Sequence, residues 1–178
     1  MYTDILEFWF EQVDESKWWS KDDAFDQLIC QKYSDLHAAA NACELYSWRQ
    51  SAQGRLAEII VLDQFSRNMF RETPKAFASD SLALALAQEA ISLKQDEILS
   101  ARERSFMYMP FMHSESLKIH QRAEALFKHN GIEASYQFEI KHKQIIEAFG
   151  RYPHRNAILG RVSTAAEEAF LQQPGSSF

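Results

Sequence analysis

Apolar residues recur three and four positions apart along almost the whole chain, the spacing of a helix face rather than the alternation of a strand. Ile5, Leu6, Phe8, Trp9 and Phe10 make a first short helix that Thr3 can cap. Phe25, Ile29, Leu36, Ala40 and Cys43 line one face of a helix over 22–44. In 53–67, Leu56, Ile59, Ile60, Val61, Leu62 and Phe65 leave almost no polar side, which marks a central buried helix. Asp80 reads as the N-cap of a helix over 82–94, whose length and Ala content outweigh its strand-like Leu/Ala alternation.

The second half is punctuated by caps. Ser100 with Glu103 is a capping box, opening a helix that Pro110 ends or kinks. A helix over 114–128 stops at Asn130-Gly131, and one over 133–149 stops at Gly150. Pro153 suits the first turn of a short helical piece, and Thr164 with Glu167 opens a last helix before Pro174-Gly175. The pattern predicts an all-α chain of seven to nine helices in a single domain, 1–178. No strand, long linker or repeat period is visible by inspection.

Composition agrees. Hydrophobic residues make up 46%, which supplies a core without metals or disulfides, and five Gly and four Pro favour long helices over many turns. Cys30 and Cys43 fall thirteen positions apart in one helical pattern, so about 20 Å separates them, beyond disulfide reach. They read as reduced core thiols. The acidic start, Met1 to Asp4, lacks the basic region of a signal peptide, and no apolar run reaches membrane-spanning length. The expectation is a cytoplasmic protein with no membrane contact.

Charge is uneven. Residues 1–50 carry ten acids and four bases, which accounts for the net −6; the rest carries fifteen of each. Between Glu147 and Glu167 no acid occurs, yet Arg151, Arg155 and Arg161 do. Such a chain is a poor nucleic-acid binder but can hold one small anion.

Phosphate loops, dinucleotide fingerprints, nucleophile elbows and zinc-type spacings are missing, so neither cofactor nor metal is expected. Glu139-Ile140-Lys141-His142 is a lone Glu-x-x-His, where a di-iron bundle needs two. Asp63 stands in the apolar run 59–65, where a carboxylate is expensive unless paired. Arg67 lies one turn on. The two close the helix end as an ion pair, or line a site with Asn68. His142 falls on the stripe Phe138, His142, Ile145, Phe149, either as a satisfied core histidine or in a pocket. His113 and Glu115 flank a helix start, where capping or anion binding explains them. The densest signal is 149–156, with Arg151, His154, Arg155 and Asn156 beside a helix stop and a Pro. These arginines either satisfy buried acids or hold an external anion.

Several segments resemble those of a bacterial family, the domain-of-unknown-function family 924: Phe8-Trp9-Phe10, Leu62-Asp63-Gln64-Phe65-Ser66-Arg67-Asn68, Ala76-Phe77-Ala78-Ser79-Asp80, Pro110-Phe111-Met112-His113-Ser114-Glu115, 149–156 and Leu159-Gly160-Arg161-Val162-Ser163-Thr164. The resemblance implies paired antiparallel helices stacked in a right-handed, tetratricopeptide-repeat-like superhelix. It implies no activity. It also implies that Asp63, Arg67, Asn68, His113, Glu115, Arg151, His154, Arg155, Asn156 and Arg161 form one constellation. Three functions stay open: a binding module for a small anionic ligand or acidic peptide end in an Arg/His pocket, a protein-interaction scaffold with a structural polar cluster, and a hydrolase-type enzyme using a His/Asp pair. Oligomeric state is not legible.

Overall fold

The structure is a computed structural model that describes residues 1–176. Its elements are α1 (Tyr2–Glu7), α2 (Asp23–Asn41), α3 (Ala52–Ile60), α4 (Ser66–Met69), α5 (Asp80–Ser92), α6 (Ala101–Met112), α7 (Leu117–Asn130), α8 (Glu133–Phe149) and α9 (Ala165–Leu171). A π-helical turn, Val61–Phe65, fuses α3 and α4 into one rod. No strand occurs among the described residues. The chain is all-α, as the periodicity predicts.

The α3–π–α4 rod is the centre. Leu56, Ile59, Ile60, Val61, Leu62 and Phe65 are fully buried, each contributing about 1.5–3 kcal/mol of apolar burial. α1 and α5 pack on α3, α2 packs on α4, and α6 also packs on α3. From α5 to α8, neighbours in sequence pack as neighbours in space. Trp9 anchors the N-terminal segment, its ring within 5.8 Å of Trp18 and Phe106 and 5.5 Å of Phe65.

Local chemistry explains the helix ends. Ser100 and Thr164 each accept the N3 amide of Glu103 and Glu167, and both glutamates reach back to complete the capping boxes. Gly131 and Gly150 end α7 and α8 in the left-handed conformation.

Several expectations need correction. Met1, not Thr3, is the N-cap of α1. Ser79 is the N-cap of α5, and Asp80 instead turns its carboxylate to arginines. α6 runs two residues past Pro110. Phe138 is half exposed, stacked on Trp19 at the surface. Cys30 and Cys43 are both free, but only Cys30 is even partly covered. Cys43 lies beyond α2 in a left-handed turn and is exposed, so it is no core thiol.

Candidate functional site

The π turn carries the key residue. A π turn inserts one extra residue per turn and re-aims the side chains beside it, a device frequent at functional sites. Here it sets Asp63, 1% exposed, against the C-terminal end of α6. The Asp63 carboxylate accepts from His113 Nδ1 at 2.7 Å and from the Gln64 amide at 2.5 Å. Arg67 Nη1 lies 3.3 Å away and also donates to the Asp63 carbonyl at 2.7 Å. Burial works against the Asp63 charge, yet Arg67 and His113 hold its pKa well below the usual carboxylate range.

The network continues outward. Arg67 grips Asp80 with both terminal nitrogens, at 3.0 and 3.1 Å. Asp80 also takes Arg155 Nη1 at 3.3 Å, so one carboxylate serves two guanidiniums. Arg155 Nη2 donates to the His113 carbonyl at 3.1 Å, and its guanidinium lies 4.4 and 4.6 Å from the Phe77 and Tyr152 ring centres. Burial and nearby Arg67 push the Arg155 pKa down. Burial and Arg67 also lower that of His113, against the pull of Asp63, so its imidazole is neutral at pH 7. The carboxylate demands a donor at Nδ1, which leaves the lone pair on Nε2.

His113, Asp80, Arg155 and Glu115 border one cavity of about 340 Å³, closed on its apolar side by Phe77, Leu84, Pro110 and Leu159. Its size suits a small molecule. Glu115 holds Arg161 with both oxygens, at 2.6 and 2.9 Å, and accepts the Tyr152 amide at 2.7 Å.

Behind this wall lies a buried cluster. His120 meets Glu139 at 2.8 Å through Nδ1, and the Ser114 carbonyl at 2.8 Å and the Tyr152 hydroxyl at 3.1 Å through Nε2. The Tyr152 hydroxyl donates to the Met112 carbonyl at 2.5 Å. The carbonyls on either side of His113 are thus tied down by one cluster.

Of the expected residues, Asp63, Arg67, His113, Glu115, Arg155 and Arg161 converge. His142 is buried inward as its stripe predicts; its Nδ1 faces the Phe138 carbonyl at 2.7 Å, its ring is 5.7 Å from Tyr152, and burial holds its pKa down to about 3. The His154 ring is 5.6 Å from that of Tyr152, and burial and Arg155 lower its pKa to about 4. Neither borders the cavity. Asn156 braces the loop, bonding Ser163 and Arg161.

Two expected members belong elsewhere. Asn68 follows Arg67 by one residue, so it is turned about 100° round the helix and bonds Asp26, which Arg71 also clamps. Arg151 is held by Glu167 at 2.6 and 2.8 Å. The acid-free stretch therefore does not leave its arginines unpaired: Glu167, Asp80 and Glu115 reach it from α9, α5 and the turn before α7. Sequence reasoning missed Asp80 as a site residue, and with it Phe77 and Tyr152. Two arginines, Arg67 and Arg155, outnumbering Asp63 was the signal for a second acid.

Among the described residues, no three His, Cys, Asp or Glu gather at metal-binding range, and no helix is long and apolar enough to cross a membrane.

No curated relative matches the chain. A solved structure, that of the protein of unknown function ATU0120 from Agrobacterium tumefaciens, is 40% identical, covers 96% of each chain and superposes with a TM-score of 0.91. Residues 5–175 match the family described as bacterial protein of unknown function (DUF924). A match over that span, with these segments in order, places the chain in the DUF924 family.

Proposed function

We propose that the chain is a binding module that holds a small molecule in the Asp80/His113/Arg155 cavity, with an anionic or oxygen-rich group of the ligand against Arg155. One observation carries this. The Arg155 side chain is 7% exposed, yet among the described residues it donates only two of its five N–H groups to protein acceptors, one of them in the long 3.3 Å contact with Asp80. A buried guanidinium is normally more fully satisfied, and unused donors at a cavity wall invite an acceptor. A cytoplasmic setting fits two free cysteines and is part of the same proposal.

The test uses inorganic phosphate. Phosphate at a hundred times its dissociation constant adds about 2.7 kcal/mol, which raises Tm by roughly 5–10 °C in a chain of this length. Chloride at equal ionic strength controls for general salt effects. Arg155→Ala abolishes the rise, and Arg155→Lys, which keeps charge but loses the fork, recovers only part of it. A folded Arg155→Ala protein that gains as much from phosphate as the parent overturns the reading. The scaffold alternative then takes over. It is favoured by the outer pairs, Arg151–Glu167 and Arg161–Glu115, whose mutual satisfaction asks for no ligand.

A further inference from the structure

We propose that this cavity hydrolyses a small carboxylic ester, with His113 as the catalytic base, Asp63 as its positioning residue and Arg155 facing the ester carbonyl. The inference rests on the binding reading for the placement of the carbonyl at Arg155, and adds a reaction to it.

His113 is built as a base. Its Nδ1 is committed to a carboxylate that cannot swing away, because Gln64 and Arg67 hold Asp63 from two other sides. Its backbone is pinned by Arg155 at its own carbonyl and by Tyr152 and His120 at the carbonyls of Met112 and Ser114. Nε2 has no protein partner among the described residues, and His113 borders the cavity. A fixed tautomer with one free lone pair is what general-base catalysis needs.

The other groups in the cavity narrow the chemistry. Both Glu115 oxygens are bonded to Arg161, and both Asp80 oxygens to Arg67, with Arg155 sharing one. His113 is the group left to take a proton and return it. Neither serine of the cavity, Ser81 nor Ser114, bonds His113 among the described residues, so the nucleophile is water.

The step balances with water as the co-reactant. The water oxygen bonds to the acyl carbon while one of its O–H bonds breaks, the proton passing to His113 Nε2. The carbonyl electron pair moves onto its oxygen, which unused Arg155 donors stabilise. Asp63 steadies the imidazolium. The oxyanion then reforms the carbonyl, the bond to the alkoxy oxygen breaks with its electron pair, and that oxygen takes the proton from Nε2. The products are a carboxylic acid and an alcohol, and His113 is neutral again.

The test is hydrolysis of p-nitrophenyl acetate by the full chain, read as p-nitrophenol release. The parent turns over above buffer, and His113→Asn loses about 100-fold or more. His129→Asn, an exposed histidine away from the cavity, keeps the parental rate. Asp63→Asn lowers the rate and moves the acid limb of the pH profile to lower pH, because Asp63 raises the imidazole pKa. A purely structural Asp63 would leave that limb in place. No turnover by the parent, or a folded His113→Asn protein as fast as the parent, overturns the proposal. As a measurement that needs no variant of His113, diethyl pyrocarbonate should carbethoxylate His113 in the folded parent; a folded chain left unmodified there shows a closed Nε2 and also overturns it. A phosphate effect that persists in Arg155→Ala, with His113-dependent turnover intact, would remove the anion reading alone.

Discussion

At the scale of single residues, Asp63 decides most. Its burial was legible because a carboxylate inside 59–65 must find a partner, and Arg67 one turn on supplied one. The contact with His113 was not legible, because fifty residues separate the two and nothing local links them. His113 was singled out for a different reason, the helix start that follows it. Removing the Asp63 carboxylate leaves the partly buried His113 Nδ1–H without its acceptor and Arg67 with Asp80 as its remaining acid, so Asp63→Ala is expected to lower unfolding free energy by about 1–3 kcal/mol in urea titrations. A loss under about 0.5 kcal/mol would match a surface substitution and contradict this account of the network.

At the scale of elements, the legible parts were those whose chemistry is local. Capping boxes at Ser100 and Thr164 and glycine stops at Gly131 and Gly150 carry their partners within a few residues. The π turn at Val61–Phe65 carries no such mark, since an all-apolar run looks alike with one residue more or less per turn. Asp80 satisfied the local signature of an N-cap, and only the distant arginines drew it elsewhere. Gly54 gives a test of the same distinction. Propensity alone makes Gly54→Ala stabilising by about 1 kcal/mol within α3. A Cβ there would overlap the Trp48 carbonyl oxygen in the turn that leads into α3. Backbone cannot step aside as a flexible side chain does, so Gly54→Ala is expected to destabilise by about 1–3 kcal/mol. A rise in the urea midpoint would show that the turn before α3 yields.

At the scale of the whole molecule, the polar contacts around the site join segments far apart in sequence: the ion pairs of Asp80 with Arg155 and Glu115 with Arg161, and the hydrogen bond of Asp63 with His113. Counting charge along the chain found the acid-free stretch but not the acids that fold over it, because pairing is a property of the packed rod and its neighbours. The same packing sets the response to acid. His37, His113, His142 and His154 all have pKa values depressed below 6.5, mainly by burial, to about 3 for His142 and about 4 for His154. Below pH 6.5 the unfolded chain protonates these histidines while the folded chain resists, so the unfolded state binds more protons and stability falls with pH. Glu139, raised by burial, works in the opposite direction, but it is one group against four. Each histidine that stays neutral in the fold down to pH 5 contributes about 2 kcal/mol of loss over that interval. Urea unfolding at pH 7, 6 and 5 is therefore expected to show a fall of about 3–5 kcal/mol. His154→Asn should remove about 2 kcal/mol of that fall. A stability that stays level from pH 7 to 5 would mean that these imidazoles are hydrated enough to charge inside the fold, and the neutral His113 on which the ester chemistry depends would lose its support.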